Sequence, residues 1–207
     1  MTERSTERSG EGGARTGGGG REARPDPAPA RVILDAAGIQ RAVTRIAHEI
    51  LERNRDPESI AIVGIVEGGV PIAQMLVRRL REIGGAEIRF GSLDVTLYRD
   101  DVIGRGRRPL PRRTQMPFSV LGLRVVLVDD VVFTGRTIRA AMDAVIDFGR
   151  PDGIQVAALV DRGHRELPIQ VDYVGKNIPT SRAELVEFQS LASGQPDGGE
   201  GYQVVLR

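Results

Sequence analysis

Apolar positions recur along this chain with two different periods, and the switches between them mark out the elements. From Asp35 onward, Ile39, Val43, Ile46, Ala47, Ile50 and Leu51 follow one another at three- and four-residue steps, the spacing of a helix with one buried stripe. Asp35 fits the N-cap of that helix. The unbroken run "SIAIVGIV" (59–66) predicts a short buried strand, and the "GG" at 68–69 predicts a turn. A second helix is predicted over 70–83, with Ala73, Leu76, Val77, Leu80 and Ile83 on one face. "EIRFGSLDVTLY" (87–98) alternates as a strand does, whereas 99–114 is polar, holds Gly104, Gly106, Pro109 and Pro111, and predicts a long loop. A strand at 124–128 then runs into a helix at 137–148, closed by Gly149 and Pro151. Further strands are expected at 154–160 and 170–175. "ELVEF" and "YQVVLR" are expected to form a C-terminal hairpin across the Gly-rich turn at 194–201. Strands alternating with helices predict an α/β domain, its central sheet mostly parallel and covered by helices on both faces.

The first thirty residues break this pattern. They contain no Val, Ile, Leu, Phe, Tyr or Trp, so they have no apolar area to offset chain entropy. A disordered Gly/Arg/Pro-rich tail over 1–31 and one folded domain over 32–207 are therefore expected. The alternative, an Arg/Gly-rich RNA-binding arm, is disfavoured because its five Arg are offset by Glu3, Glu7, Glu11, Glu22 and Asp26. A solvated tail, or an upstream start codon, is the favoured reading. With no apolar segment the tail has no secretory signal, and its acidic residues argue against a transit peptide. The whole chain of 207 residues carries a formal charge of +1, so a nucleic-acid site would have to be a local patch. It has no Cys and two His, which excludes disulfides and thiolate metal sites. No apolar run approaches the roughly 20 residues that span a membrane. A soluble cytoplasmic protein is expected.

The stretch "VVLVDDVVFTGRTIRAAMDAV" (125–145) carries the most chemistry. A buried strand meets two adjacent carboxylates, Asp129 and Asp130, then Thr134-Gly135-Arg136-Thr137 at the mouth of a helix. In open parallel sheets, ligands bind beyond the carboxyl ends of the strands. A turn at a helix N-terminus offers backbone N–H groups and a partial positive charge, which suit a phosphate monoester. Two carboxylates beside it suit the vicinal hydroxyls of a ribose, or a Mg²⁺ that bridges to them. A 5-phosphoribose satisfies both halves. A merely capped helix would account for one Asp but not for the pair. Neither a P-loop nor a dinucleotide fingerprint is present.

"VVLVDDVVFTGRT" closely resembles the phosphoribosyl-pyrophosphate (PRPP) motif of type I phosphoribosyltransferases. "RAVTRIAHEILERN", "DVTLYRDD", "DFGRPDGIQVAALVDRGHRELPI" and "DYVGKNIPTS" are similar to the pyrimidine-operon regulator family PyrR, whose members are also uracil phosphoribosyltransferases. The resemblance covers roughly 32–186. It implies a type I phosphoribosyltransferase domain with a small hood. Asp129 and Asp130 would hold the ribose hydroxyls, with Mg²⁺ arriving on PRPP, and Val132, Phe133, Thr134, Gly135, Arg136 and Thr137 would wrap the 5-phosphate. The basic loop rooted at Arg99, Asp100 and Asp101 would close over pyrophosphate. Lys176, Asn177 and Ile178 would recognise uracil through backbone groups. Purine-using relatives usually place an acidic residue where Phe133 stands, so its absence favours a pyrimidine.

Two departures from the family pattern stand out. The pyrophosphate loop after the first strand usually holds Thr-Arg-Gly; here Glu67 and Gly68 replace the Thr and Arg, leaving Gly69. One cation is lost and one anion gained, so weak catalysis is expected. The resemblance also implies UMP-dependent binding (UTP being the other candidate effector) to a hairpin in pyrimidine-operon leader mRNA, through Thr44, Arg45, His48, Arg53, His164, Arg165 and Lys176. Arg41, Arg45, His48 and Glu52 share one face of the first helix. The second departure is Gln170, which stands where relatives carry Arg. The family forms dimers and higher assemblies. Two alternatives stay open: a uracil salvage enzyme without an RNA role, and a catalytically inactive UMP-sensing regulator.

Overall fold

The computed structural model describes residues 30–98, 100, 114–191 and 201–207. The expected tail (its residues 1–29), most of the 99–113 loop with Arg99, and most of the Gly-rich turn lie outside the described residues.

Five parallel strands form the main sheet in the order β3 (Arg89–Leu93), β2 (Ile60–Ile65), β4 (Arg124–Val132), β5 (Gly153–Asp161), β6 (Tyr173–Asn177). Helices α1 (Ala36–Asn54) and α2 (Gly69–Gly84) cover one face and α3 (Arg136–Ile146) the other. Alternation along the strands decides which side chain goes where. Val126 and Val128 of β4 join the α1/α2 core, while Val125 and Leu127 join the α3 core. Because both faces are covered, β2 is buried at every position.

The helix limits have local causes. Asp35 caps α1, its carboxylate accepting from the Gly38 N–H at 2.7 Å. α2 stops at Gly85, which takes the left-handed conformation (φ 66°) that glycine adopts without penalty. The expected turn at 68–69 is in fact the opening of α2, with Gly68 at its N-cap.

A second sheet of three antiparallel strands runs β1 (Arg31–Leu34), β8 (Gly201–Leu206), β7 (Val186–Leu191). β7 and β8 are the expected hairpin. β1 is an addition, and it takes in Arg31, one residue before the expected domain boundary, because Arg31 pairs with Leu206. The sheet buries Val186, Val204 and Leu206 in the α1 core.

β4 continues to Val132 instead of stopping at 128: Asp129 pairs with Ala158 and Val131 with Val160. The strand expected over 87–98 spans only Arg89–Leu93, because Asp94 turns the chain by accepting from the Thr96 N–H at 2.8 Å.

β2 lies between β3 and β4, so the chain leaves β2 toward one side, returns, and continues on the other. The crevice such a reversal opens lies beyond the carboxyl ends of β2 and β4. It lies where the 66–69 loop meets the aspartate pair.

Candidate active site and nucleic-acid face

A cavity of ≈ 410 Å³ opens at the end of β4, lined by Asp129, by residues 131–138 and by Glu166. Every expected phosphate-binding residue, from Val132 to Thr137, is therefore in one wall. Gly135 takes φ 89° between strand and helix, a conformation that leads the chain directly into α3.

The carbonyl edge of this turn is engaged by a neighbouring segment. Val132 O accepts from the Arg162 N–H (3.1 Å), and Thr134 O from the N–H groups of Glu166 (3.0 Å) and Leu167 (3.3 Å). Phe133 O accepts from the Arg165 guanidinium at 2.7 Å. With its carbonyls held away by 162–167, the turn presents an amide edge and a helix N-terminus to the cavity. That arrangement favours an anion.

The two aspartates point differently. Asp129 is 7% exposed and lines the cavity, with one carboxylate oxygen accepting from the Asp130 N–H at 3.1 Å. Asp130 lies over the backbone of Gly68, so closely that a Cβ at 68 would collide with its carboxylate. Gly69 packs on the Val128 carbonyl in the same way. The 67–69 loop and the aspartate pair thus touch, and the Val66–Glu67 peptide in that loop is cis. Arg136 bridges Asp100 (2.6 Å) and Glu166 (2.9 Å), which ties Asp100 to the 132–137 turn.

Lys176 and Asn177, expected in a hood, end the edge strand β6, and Ile178 is buried just beyond it, its N–H donating to Asp161 O at 2.9 Å. The residues expected to meet RNA fall into two groups. Thr44, Arg45 and His48 line a hollow on α1 together with Gln40, Arg41 and Arg79 of α2. Arg45 reaches across to the carbonyls of Val174 (2.9 Å) and Gly175 (2.7 Å), beside Lys176, whose Nζ donates to Ile33 O at 3.0 Å. Arg53 lies farther along α1, paired with Asp172 at 2.7 Å. His164 and Arg165 stand apart from this face, against the 132–137 turn: His164 sits edge-on to the Phe133 ring, and Arg165 also pairs with Asp161 at 2.6 Å.

Sequence reasoning missed Glu166 and Arg162. The available signal was position: both follow directly on β5, next to β4, where a parallel sheet presents its ligand side. Among the described residues no three potential ligands cluster as a metal site, and no helix is long and apolar enough to cross a membrane.

Residues 30–191 match the family model described as the phosphoribosyl transferase domain. The chain is 57% identical over 162 residues to the bifunctional protein PyrR of Deinococcus radiodurans, covering 78% of this chain and 88% of that one. The chain belongs to the PyrR family. The PyrR of Roseiflexus sp. is likewise 57% identical over 175 residues, covering 84% of this chain and 94% of its own. Among solved structures, a hypoxanthine phosphoribosyltransferase from Staphylococcus aureus superposes with a TM-score of 0.58 at 20% identity, over 75% of this chain and 80% of that one. That likeness establishes the type I phosphoribosyltransferase fold. The stretch that resembles the family's PRPP motif thus lies on the β4–α3 turn, in the cavity described above.

Proposed function

We propose that this protein senses UMP and binds pyrimidine-operon leader mRNA, favouring attenuation of transcription, and that it also makes UMP from uracil and PRPP at a low rate. The observation that supports the reading is that Asp129 shares one cavity with the 132–137 turn while Asp130, next in the chain, faces the 67–69 loop beside it. Asp129 and Asp130 hold the ribose 2- and 3-hydroxyls, and the 132–137 turn holds the 5-phosphate. Uracil N1 bonds to C1′ as the bond from C1′ to diphosphate breaks; the departing diphosphate, itself an oxygen base, takes the N1 proton. Two carboxylates do not complete an octahedral shell, so the donor set fits a Mg²⁺ that arrives on PRPP with its waters. Such an ion, when bound, would supply charge neutralisation on the leaving group. The protein acts in the cytoplasm as a homo-oligomer, without a membrane partner.

Turnover of uracil with PRPP, followed by UMP formation, tests the enzyme half. Gel shift of the leader hairpin with and without UMP tests the regulatory half; binding that ignores UMP removes it.

The 67–69 loop favours a second reading, in which UMP is sensed but hardly made. A carboxylate at 67 opposes pyrophosphate, and a charge-assisted bond forgone at 68 is worth about 1.5–3 kcal/mol. Glu67→Thr raises kcat/KM about ten-fold, read by steady-state kinetics; unchanged turnover means the Glu67 carboxylate does not face the anion. Gly68→Arg is a harder repair, because Asp130 must first swing clear of the new Cβ.

The α1 hollow reads RNA by backbone and shape, since few aromatics are present to stack bases. His48→Ala with Thr44→Ala lowers hairpin affinity at least ten-fold and leaves UMP synthesis unchanged. Parallel loss of both activities would sink that assignment. Arg45 is a poorer probe, because its guanidinium also docks α1 onto β6.

A further inference from the structure

Arg162 is the one buried cation among the described residues, 6% exposed at the first position after β5. Burial lowers the pKa of its guanidinium, and the charge of Glu184 acts against that shift. Burying such a charge is costly unless its N–H groups are satisfied. Here three of the five are: Nε donates to Thr180 Oγ1 (3.1 Å), and one terminal nitrogen donates to the carbonyls of Ser181 (2.9 Å) and Glu184 (2.7 Å). The face of the same plane lies over the Phe133 ring, with Cζ 4.1 Å from its centroid. One rigid, flat group therefore bonds by its edge to the 180–184 segment and by its face to the phosphate turn. Apolar packing alone would be served at lower cost by Leu or Met.

A neighbouring contact repeats the link. His164 Nε2 lies 2.6 Å from Thr180 O while the His164 ring meets Phe133 edge-on, with centroids 5.6 Å apart. Phe133 lines the cavity. In the nucleotide reading above, a base attached at C1′ would meet the cavity wall that Phe133 forms.

We propose that Arg162 is a positioning residue for the pyrimidine, acting as a spacer that holds Phe133 and the 180–184 segment at the separation a one-ring base requires. This rests on the nucleotide reading above and adds a determinant of base recognition to it.

The test compares UMP with ribose 5-phosphate, titrated calorimetrically into wild type, Arg162→Met and Arg162→Lys. Arg162→Met weakens UMP at least ten-fold and leaves ribose 5-phosphate within two-fold; Arg162→Lys loses less. In turnover, KM for uracil rises at least ten-fold while KM for PRPP and kcat stay within about two-fold. A merely structural role would weaken both ligands equally, or reduce the active fraction at unchanged dissociation constants, and either result overturns the proposal. Thr180→Val provides the check should Arg162→Met fail to fold. It removes the hydroxyl that accepts from Arg162 Nε and must show the same selective loss of UMP, if smaller; without that loss the proposal falls. A wild type that binds UMP no more tightly than ribose 5-phosphate defeats the pyrimidine reading itself. An unchanged preference in Arg162→Met, against a wild type that has one, defeats only the role of Arg162.

Discussion

Replacing Asp129 and Asp130 together by Asn lowers kcat/KM for UMP formation by roughly a thousand-fold. Each carboxylate accepts from a ribose hydroxyl in the proposed complex, and a hydrogen bond to a charged group contributes about 1.5–3 kcal/mol. Two of them sum to about 3–6 kcal/mol, or roughly two to four powers of ten in rate. Asn keeps the shape of Asp, so the Asp130 side chain still fits over Gly68 and the fold is retained. Steady-state kinetics with a thermal melt of each variant checks the result. A double variant within ten-fold of wild type, and melting alongside it, would mean that the pair does not grip the sugar.

Gly69→Ala is expected to show the largest effect on stability of any single methyl addition near the crevice. The added carbon falls on the Val128 carbonyl oxygen, with Asp129 Cα 3.1 Å away, and both are backbone of the central strand. Neither can rotate aside as a side chain would. Overpacking of this kind costs about 1–3 kcal/mol, and the rigid neighbours argue for the upper part of that range. For a chain of this size about 2–3 kcal/mol lowers the midpoint by about 4–12 °C. Gly153→Ala is the control, because a Cβ there meets nothing within 4 Å. A Gly69→Ala protein that melts with the control would show that the 66–69 loop is free to lift off β4.

The parts legible in the sequence are those whose cause is local. α1 and α2 follow from stripes of apolar residues, and the cavity wall follows from residues consecutive in the chain, Asp129 to Thr137. The end of β4 was misjudged because a charged pair looks like the end of a strand. Its backbone nevertheless keeps its ladder to β5 while the side chains serve the crevice. β1 escaped notice because four residues carry little periodicity, and its partner β8 lies at the far end of the chain. β6 begins at Tyr173, later than its apolar pattern predicts; Asp172 before it turns its carboxylate to the Val156 N–H at 2.9 Å. Arg162, Arg165 and Glu166 depend on packing between segments 30 residues or so apart in sequence, where spacing carries no signal. Arg165 shows the limit well: in the sequence it looks like a surface cation, yet its guanidinium bonds to Phe133 O, Ile169 O and Asp161.

The pairing of Arg31 with Leu206 brings the two ends of the folded chain side by side. Fusion partners attached at either end would hang from the same pole, and a linker of a few residues would suffice to close the domain into a ring. Clipping the last strand, conversely, would strip β1 of its neighbour and open the α1 core to water from both termini at once.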